Sequence, residues 1–364
     1  MILYLPNLWG LGLLFIVYTT GRCNLGCRYC GGSFHPSIVP WRVEYSLDLL
    51  LDLVSDEDDL AFYGGEPLLN LEFIEEVIKE VDVSHYILQT NGILLHKLRP
   101  RALSELDAIL VSIDGVEEIT DLNRGAGVYR RVVENVSRIK SLGYDIDLIA
   151  RMTVTEDSDI YRDVKHLLSL DLFDHIHWQL SLIWVDRSLW KDFWGWLERS
   201  YRPGLRRLMD EWIESLRSGS IAGIAPFQGI LKRILYSGSI PPCGSGVDSF
   251  TILTNGRIVS CPIAVSEGWA YIGRLGDVNR EDLKRYRPPI DEPCRSCSYL
   301  SICGCRCLYA HVERLWGSEG MEMMCSASKY IIDLVKSRID EILEITSPEK
   351  IIYPRYNNTV EIIP

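Results

Sequence analysis

Eleven cysteines in 364 residues fall into two groups separated by a long cysteine-free interval. Three lie between Cys23 and Cys30, and eight lie between Cys243 and Cys325. What such thiols do depends on the compartment, so the start of the chain matters. The apolar opening, Leu8 to Tyr18, has no basic residue before it and no small-residue cleavage site. Its apolar length is about half a membrane span, which reads as a buried first strand. The expected location is therefore the cytoplasm, where thiols stay reduced and serve as metal or cluster ligands rather than disulfides. A net charge of -12 lacks the basic footprint of a phosphate-gripping protein. Neither nucleic acid nor a membrane is an expected partner.

Between the two cysteine groups, short apolar runs alternate with amphipathic stretches. Strands are expected at Leu13–Tyr18, Leu60–Tyr63, His85–Thr90, Ala108–Ile113, Asp145–Val154 and His175–Ile183. In Val128–Leu142, residues Val132, Val133, Val136, Ile139 and Leu142 share one helical face, and Asn70 is positioned to cap the helix after the second strand. Repeated strand–helix units imply an α/β fold, a TIM-like partial (β/α)6 barrel with right-handed crossovers. A small cysteine-rich domain follows it. The expected boundaries are 1–185 for the barrel, 186–240 for a Trp/Arg-rich helical bridge, 241–330 for the cysteine-rich domain, and 331–364 for a helix and tail. The acidic run Asp56–Asp59 reads as a solvated turn.

In Cys23-Asn24-Leu25-Gly26-Cys27-Arg28-Tyr29-Cys30, spacings of three and two residues let one loop wrap three thiolates around a cubane. Four cysteines would close an electron-transfer cluster. Three leave one iron open, the logic that separates catalytic from structural metal sites. An open iron can chelate the amino and carboxylate groups of S-adenosylmethionine (SAM), whose reduced sulfonium then yields a 5′-deoxyadenosyl radical. A zinc loop with a distant fourth ligand is the alternative. Segments Tyr63–Pro67, Thr90–Gly92 and Asp114–Gly115 also fall at carboxyl ends of strands, where barrel chemistry sits.

The cysteine loop resembles the C-x3-C-x2-C signature of the radical SAM superfamily, with the usual aromatic residue, Tyr29, before the last cysteine. Tyr63-Gly64-Gly65-Glu66-Pro67 resembles that family's Gly-Gly-Glu-Pro segment. The resemblance implies that Gly64, Gly65 and Glu66 meet the SAM amino group, that Ser112 touches the ribose, and that Arg124 holds the SAM carboxylate. Taken by themselves, glycines admit close backbone approach and a carboxylate suits an ammonium.

The second cysteine group resembles the seven-cysteine SPASM domain of enzymes that modify peptides and proteins. The resemblance implies two auxiliary [4Fe–4S] clusters, three with the first. Cys294, Cys297, Cys303 and Cys325 would ligate one, and Cys243, Cys261 and Cys307 the other. A zinc ribbon is the competing account. Cys305 lies outside the seven. It is either a small buried hydrophobe or a further ligand for the Cys243 cluster, which is otherwise expected to keep an open site.

The expected activity is hydrogen abstraction from a peptide or protein side chain, with flavodoxin or ferredoxin as reductant. The chain looks most like archaeal peptide-modifying members of the family. A cofactor precursor such as a porphyrin is the alternative substrate, and a multi-cluster electron carrier is the non-enzyme alternative. Because the first cluster begins at Cys23, no leader-binding winged-helix domain is expected before it. Anaerobic sulfatase-maturating enzymes carry an aspartate after the cysteine corresponding to Cys261, and an extra cysteine between the counterparts of Cys243 and Cys261. Pro262 stands here and the extra cysteine is missing, which disfavours formylglycine formation. The segment Trp178–Trp212 holds Trp178, Trp184, Trp190, Trp194, Trp196 and Trp212 among Arg187, Lys191, Arg199, Arg202, Arg206 and Arg207. It reads either as an aromatic and basic substrate wall or as a helix packing its indoles on the barrel.

Overall fold

All seven positions of strand β1 (Leu14–Thr20) are buried, as a parallel strand covered on both faces requires. The computed structural model describes residues 12–182, 185–351 and 363–364. After β1 come β2 (Asp59–Gly64), β3 (His85–Thr90), β4 (Leu106–Ser112), β5 (Asp147–Val154) and β6 (His175–Leu180), all parallel. Three short strands, β7 (Ser249–Ile252), β8 (Arg257–Val259) and β9 (Tyr271–Arg274), join the same sheet. Its order is β6-β5-β4-β3-β2-β1-β7-β8-β9. Strand β7 pairs parallel with β1, whereas β8 and β9 run antiparallel. The expected strand at His85–Thr90 is reproduced, and the other five shift by one to three residues at their ends; Ile183 lies outside the described residues.

Alternation along the strands sorts side chains into two layers. Phe15, Val17, Phe62, Leu88, Ile109 and Val111 face the surrounding helices as part of the main core. Leu14, Ile16, Ala61, Ile87, Ala108, Leu110 and Ile149 fill the lumen as a separate apolar plug. The helix Val128–Ser141 buries Val132, Val136 and Ile139, while Leu142 just beyond it is exposed. No helix among the described residues is long and apolar enough to cross a membrane.

Two local expectations change. Asn70 precedes the helix Leu71–Glu80 but makes no side-chain cap; its amide donates instead to the Thr19 carbonyl at 2.8 Å, tying that helix to β1. The acidic run is not solvated, because Asp58 is fully buried. It accepts from Leu13 N at 2.7 Å and from Arg280 Nη2 at 3.0 Å.

The tryptophan-rich segment is a packing element rather than a wall. Trp178, Trp190, Trp196 and Trp212 are buried, each with its indole N–H satisfied by Tyr201, Ser181, Ser158 or Ala222 respectively. Trp194 is exposed, and Trp184 lies outside the described residues. Arg187 and Arg199 pair with Glu319 and Asp192, and Arg202 and Arg207 lie over the rings of Tyr330 and Tyr161. Burying four large indoles against the barrel's helices outweighs anything their exposure could offer a ligand.

Candidate active site and cysteine-rich centres

The loop carrying Cys23, Cys27 and Cys30 leaves the carboxyl end of β1 and is clamped by the segment leaving β2. Gly65 N donates to Thr20 O at 3.0 Å and Glu66 N to Arg22 O at 2.7 Å. A Cβ at Gly65 would stand 2.2 Å from the Arg22 carbonyl oxygen, and one at Gly64 would stand 2.3 Å from that of Thr20. The glycines are therefore required by the approach of the cysteine loop itself, a constraint separate from any ligand.

Within the loop, Cys30 N and Gly31 N both donate to the Cys27 carbonyl, which curls the last turn. The Cys27 and Cys30 thiols hydrogen-bond each other, so Cys27 keeps the proton and Cys30 is lowered to about 6. Leu25 N and the Asn91 amide both direct hydrogens at Cys23 Sγ, at 3.5 and 3.9 Å. Donors aimed at sulfur suit a thiolate ligand, so this donor set fits a metal cluster.

Glu66 is fully buried and ties the ends of β2 and β3 together. Oε1 accepts from Thr90 Oγ1 at 2.7 Å and from Leu68 N at 3.1 Å, and Oε2 accepts from Asn91 N at 2.8 Å. Burial pushes its carboxyl up to about 7 despite those donors. Its side chain thus meets protein donors from three positions. The folded chain binds the Glu66 proton more tightly than an unfolded chain with a carboxyl near 4.5. Its contribution to stability is full below about pH 4.5 and is lost as pH rises through 7. Glu66→Gln, with one acceptor oxygen for three donors, should cost about 1–3 kcal/mol. The wild-type advantage over this variant should shrink between pH 5 and pH 8 in denaturant unfolding.

Arg124 is held by a buried carboxylate. It is 7% exposed and grips the fully buried Asp114 with two bonds, Nε to Oδ2 at 3.0 Å and Nη2 to Oδ1 at 2.7 Å. Its guanidinium lies 5.4 Å from the centroid of the Tyr29 ring, whose hydroxyl donates to Asp114 Oδ2 at 2.8 Å. Thr153 N donates to Asp114 Oδ1 at 2.9 Å, and Arg28 N donates to the Asn123 carbonyl at 2.9 Å. One carboxylate therefore joins β5, the residues after β4 and the aromatic residue of the cysteine loop.

Ser112 ends β4, in register with Arg151 on β5. Two positions beyond the lumen residue Ile149, Arg151 turns inward at the level of the mouth and contacts His177 Nδ1 at 3.1 Å and Gln179 Oε1 at 2.5 Å. Sequence reasoning missed this polar trio on β5 and β6. Its signal was available: a charged or polar residue at the inward alternation of an otherwise apolar strand.

The second group of cysteines gathers around the segment Cys294–Cys307. Burial raises the Cys303 thiol to about 12, with neighbouring Cys325 and Cys294 adding to the effect. Cys325 in turn lies near Cys294 and Cys297. Cys261 and Cys307 are buried and both neighbour Tyr309, while Cys243 lies beside Ser245 at 3.2 Å and near Arg233. Cys305, left over by the sevenfold pattern, is buried with its thiol hydrogen-bonded to Cys294. It therefore stands against the Cys294 set, not in the place imagined for it beside Cys243. Two cysteine sets close in space suit metal or cluster binding.

Comparison with known proteins agrees with this architecture. The family model described as the radical SAM superfamily matches residues 17–167. The cysteine-type anaerobic sulfatase-maturating enzyme of Clostridium perfringens (strain 13 / Type A) is 26% identical over 339 residues, covering 80% of this chain and 88% of that protein. The PqqA peptide cyclase of Bradyrhizobium diazoefficiens is 27% identical over 337 residues, covering 82% of each. Among solved structures, native anSMEcpe with bound AdoMet superposes with a TM-score of 0.70 at 21% identity, covering 92% of this chain and 100% of that one. With its three-cysteine loop at the mouth of a partial α/β barrel, the chain carries a radical SAM domain over residues 17–167 and is an enzyme of that chemistry.

Proposed function

We propose that this enzyme modifies a peptide or protein side chain by hydrogen abstraction. The observation that carries the reading is the convergence of four strand ends on one mouth. The Cys23–Cys30 loop, Gly64–Gly65, Asn91 and the Asp114–Arg124 pair are joined there by hydrogen bonds. Cys23, Cys27 and Cys30 would hold a [4Fe–4S] cluster. When bound with SAM, it supplies the 5′-deoxyadenosyl radical. Gly64 and Gly65 offer backbone to SAM, Ser112 and Arg151 face it from β4 and β5, and Arg124 acts through Asp114 and Tyr29 to position the cysteine loop. Cys294, Cys297, Cys303 and Cys325 would hold one auxiliary cluster, and Cys243, Cys261 and Cys307 a second. A peptide substrate is supported by the relatives, which mature a sulfatase or cyclise the PqqA peptide. The reductant is a small carrier such as flavodoxin or ferredoxin, and the setting is the cytoplasm.

Sulfatase maturation is the second reading, favoured by the Clostridium relative. Against it, Pro262 supplies no acid after Cys261. Its carbonyl accepts instead from the Tyr18 hydroxyl at 2.6 Å, so that position does reach strand β1 near the mouth. Anaerobic reconstitution should load about twelve irons per chain, and reduction with dithionite in the presence of SAM should release 5′-deoxyadenosine. Deuterium from a labelled candidate peptide should appear in that product. Iron for one cubane only, accompanied by zinc, would overturn the auxiliary clusters. Transfer from a porphyrin but from no peptide would overturn the substrate class.

A further inference from the structure

His311 is 1% exposed, and its Nδ1 has no hydrogen-bond partner among the described atoms. A buried polar atom without a partner costs about 1–3 kcal/mol, so one that persists needs an explanation. The ring lies in the second cysteine region, where a ring nitrogen and the Sγ atoms of Cys294 and Cys305 all stand within 4.8 Å of one another. All three residues are buried.

The opposite side of the ring decides what Nδ1 can do. Asp291 N donates to His311 Nε2 at 3.0 Å. A backbone N–H can only donate, so Nε2 carries a lone pair and the proton of the neutral ring sits on Nδ1. That excludes Nδ1 as a ligand to metal in this tautomer and leaves its N–H available to donate within the group that Cys294 and Cys305 complete. The orientation is held by the same turn that presents the cysteine, because the Asp291 carbonyl accepts from Cys294 N at 3.1 Å. At the other side of the group, Cys305 and Arg306 both adopt left-handed backbone, with φ of 66° and 57°. That turn places the Cys305 thiol against Cys294.

We propose that His311 Nδ1–H donates a hydrogen bond to a sulfur of the cluster held through Cys294 and thereby sets its reduction potential. An N–H aimed at a ligand sulfur stabilises the reduced, more negative cluster, and so makes it a better electron acceptor. His311 is on this view a positioning and tuning residue that binds no iron. The inference rests on the reading of Cys294, Cys297, Cys303 and Cys325 as cluster ligands, so its test separates the two.

The full-length chain is reconstituted anaerobically as wild type, His311→Phe and His311→Gln, then assayed for iron and zinc and titrated potentiometrically with EPR detection. The expected result is an unchanged iron content in all three. One of the auxiliary signals should shift to a more negative potential in His311→Phe, and His311→Gln, which retains an N–H donor, should return part of the way. Unchanged potentials in a fully iron-loaded His311→Phe would overturn the hydrogen bond. Loss of about four irons in His311→Phe without rescue by His311→Gln would overturn it too, by making His311 a ligand. Zinc in place of iron in the wild type would overturn the cluster reading first, and the tuning with it.

Discussion

Replacing Cys23, Cys27 and Cys30 together by alanine should abolish 5′-deoxyadenosine formation while leaving iron in the C-terminal half of the chain. The expected drop in iron is about four of about twelve per chain. The loss of SAM cleavage should be complete, because positioning residues have nothing to act on without the group that carries the chemistry. Folding should survive the change. Of the three, only Cys27 is buried, and the loop is held to β2 by backbone bonds of Gly65 and Glu66 that alanines leave intact. Iron analysis together with chromatography of the SAM products checks both halves. Undiminished 5′-deoxyadenosine in the triple variant would move the active site elsewhere and sink the proposed function.

Asp114→Ala should produce the largest change in stability. It strips the buried Arg124 guanidinium of its counter-charge in a place that water does not reach, where the side chains are 5% and 0% exposed. Removing one partner of a buried ion pair typically costs about 3–5 kcal/mol. Thr153 N, the Asn123 amide and the Tyr29 hydroxyl lose an acceptor in the same step. Removing the charge as well, in Asp114→Leu with Arg124→Met, should recover only part of the loss, since those three donors stay unsatisfied. Thermal unfolding of the two variants measures the difference. At a temperature where both are folded, Asp114→Ala should also cleave SAM more slowly, because Tyr29, in the loop that carries Cys30, loses its anchor on Asp114. A double variant no more stable than the single one would show that the buried charge is not the dominant cost.

The parts of this molecule that could be read from the chain are those in which the chemistry is local. Metal-binding thiols must share a short loop, so the spacing of Cys23, Cys27 and Cys30 announced their role. Parallel strands covered on both faces must be apolar, so five strands were located to within a few residues and His85–Thr90 without error. What was not legible was the choice of partner for a polar group. Nothing near Glu66 in the chain reveals that Thr90 and Asn91 will claim its oxygens, and nothing near Asp58 reveals Arg280, 222 residues away. The tryptophan-rich segment left two readings open for a related reason. Composition gives the number of indoles but not which way they face, and four of them face inward. Arg151, His177 and Gln179 went unnoticed because they stand within strands, where attention goes to the apolar pattern.

Strand β7 deserves a last consequence. By pairing with β1 over Leu14 to Val17, it covers the flank of the strand that carries the cysteine loop. A version of the protein cut back to its barrel, ending near residue 240, would therefore expose an apolar strand with a row of unanswered amides and carbonyls. Such an edge recruits other chains. The shortened enzyme should be lost to self-association, and the two halves of the polypeptide could not have been traded freely between proteins without something to close that seam.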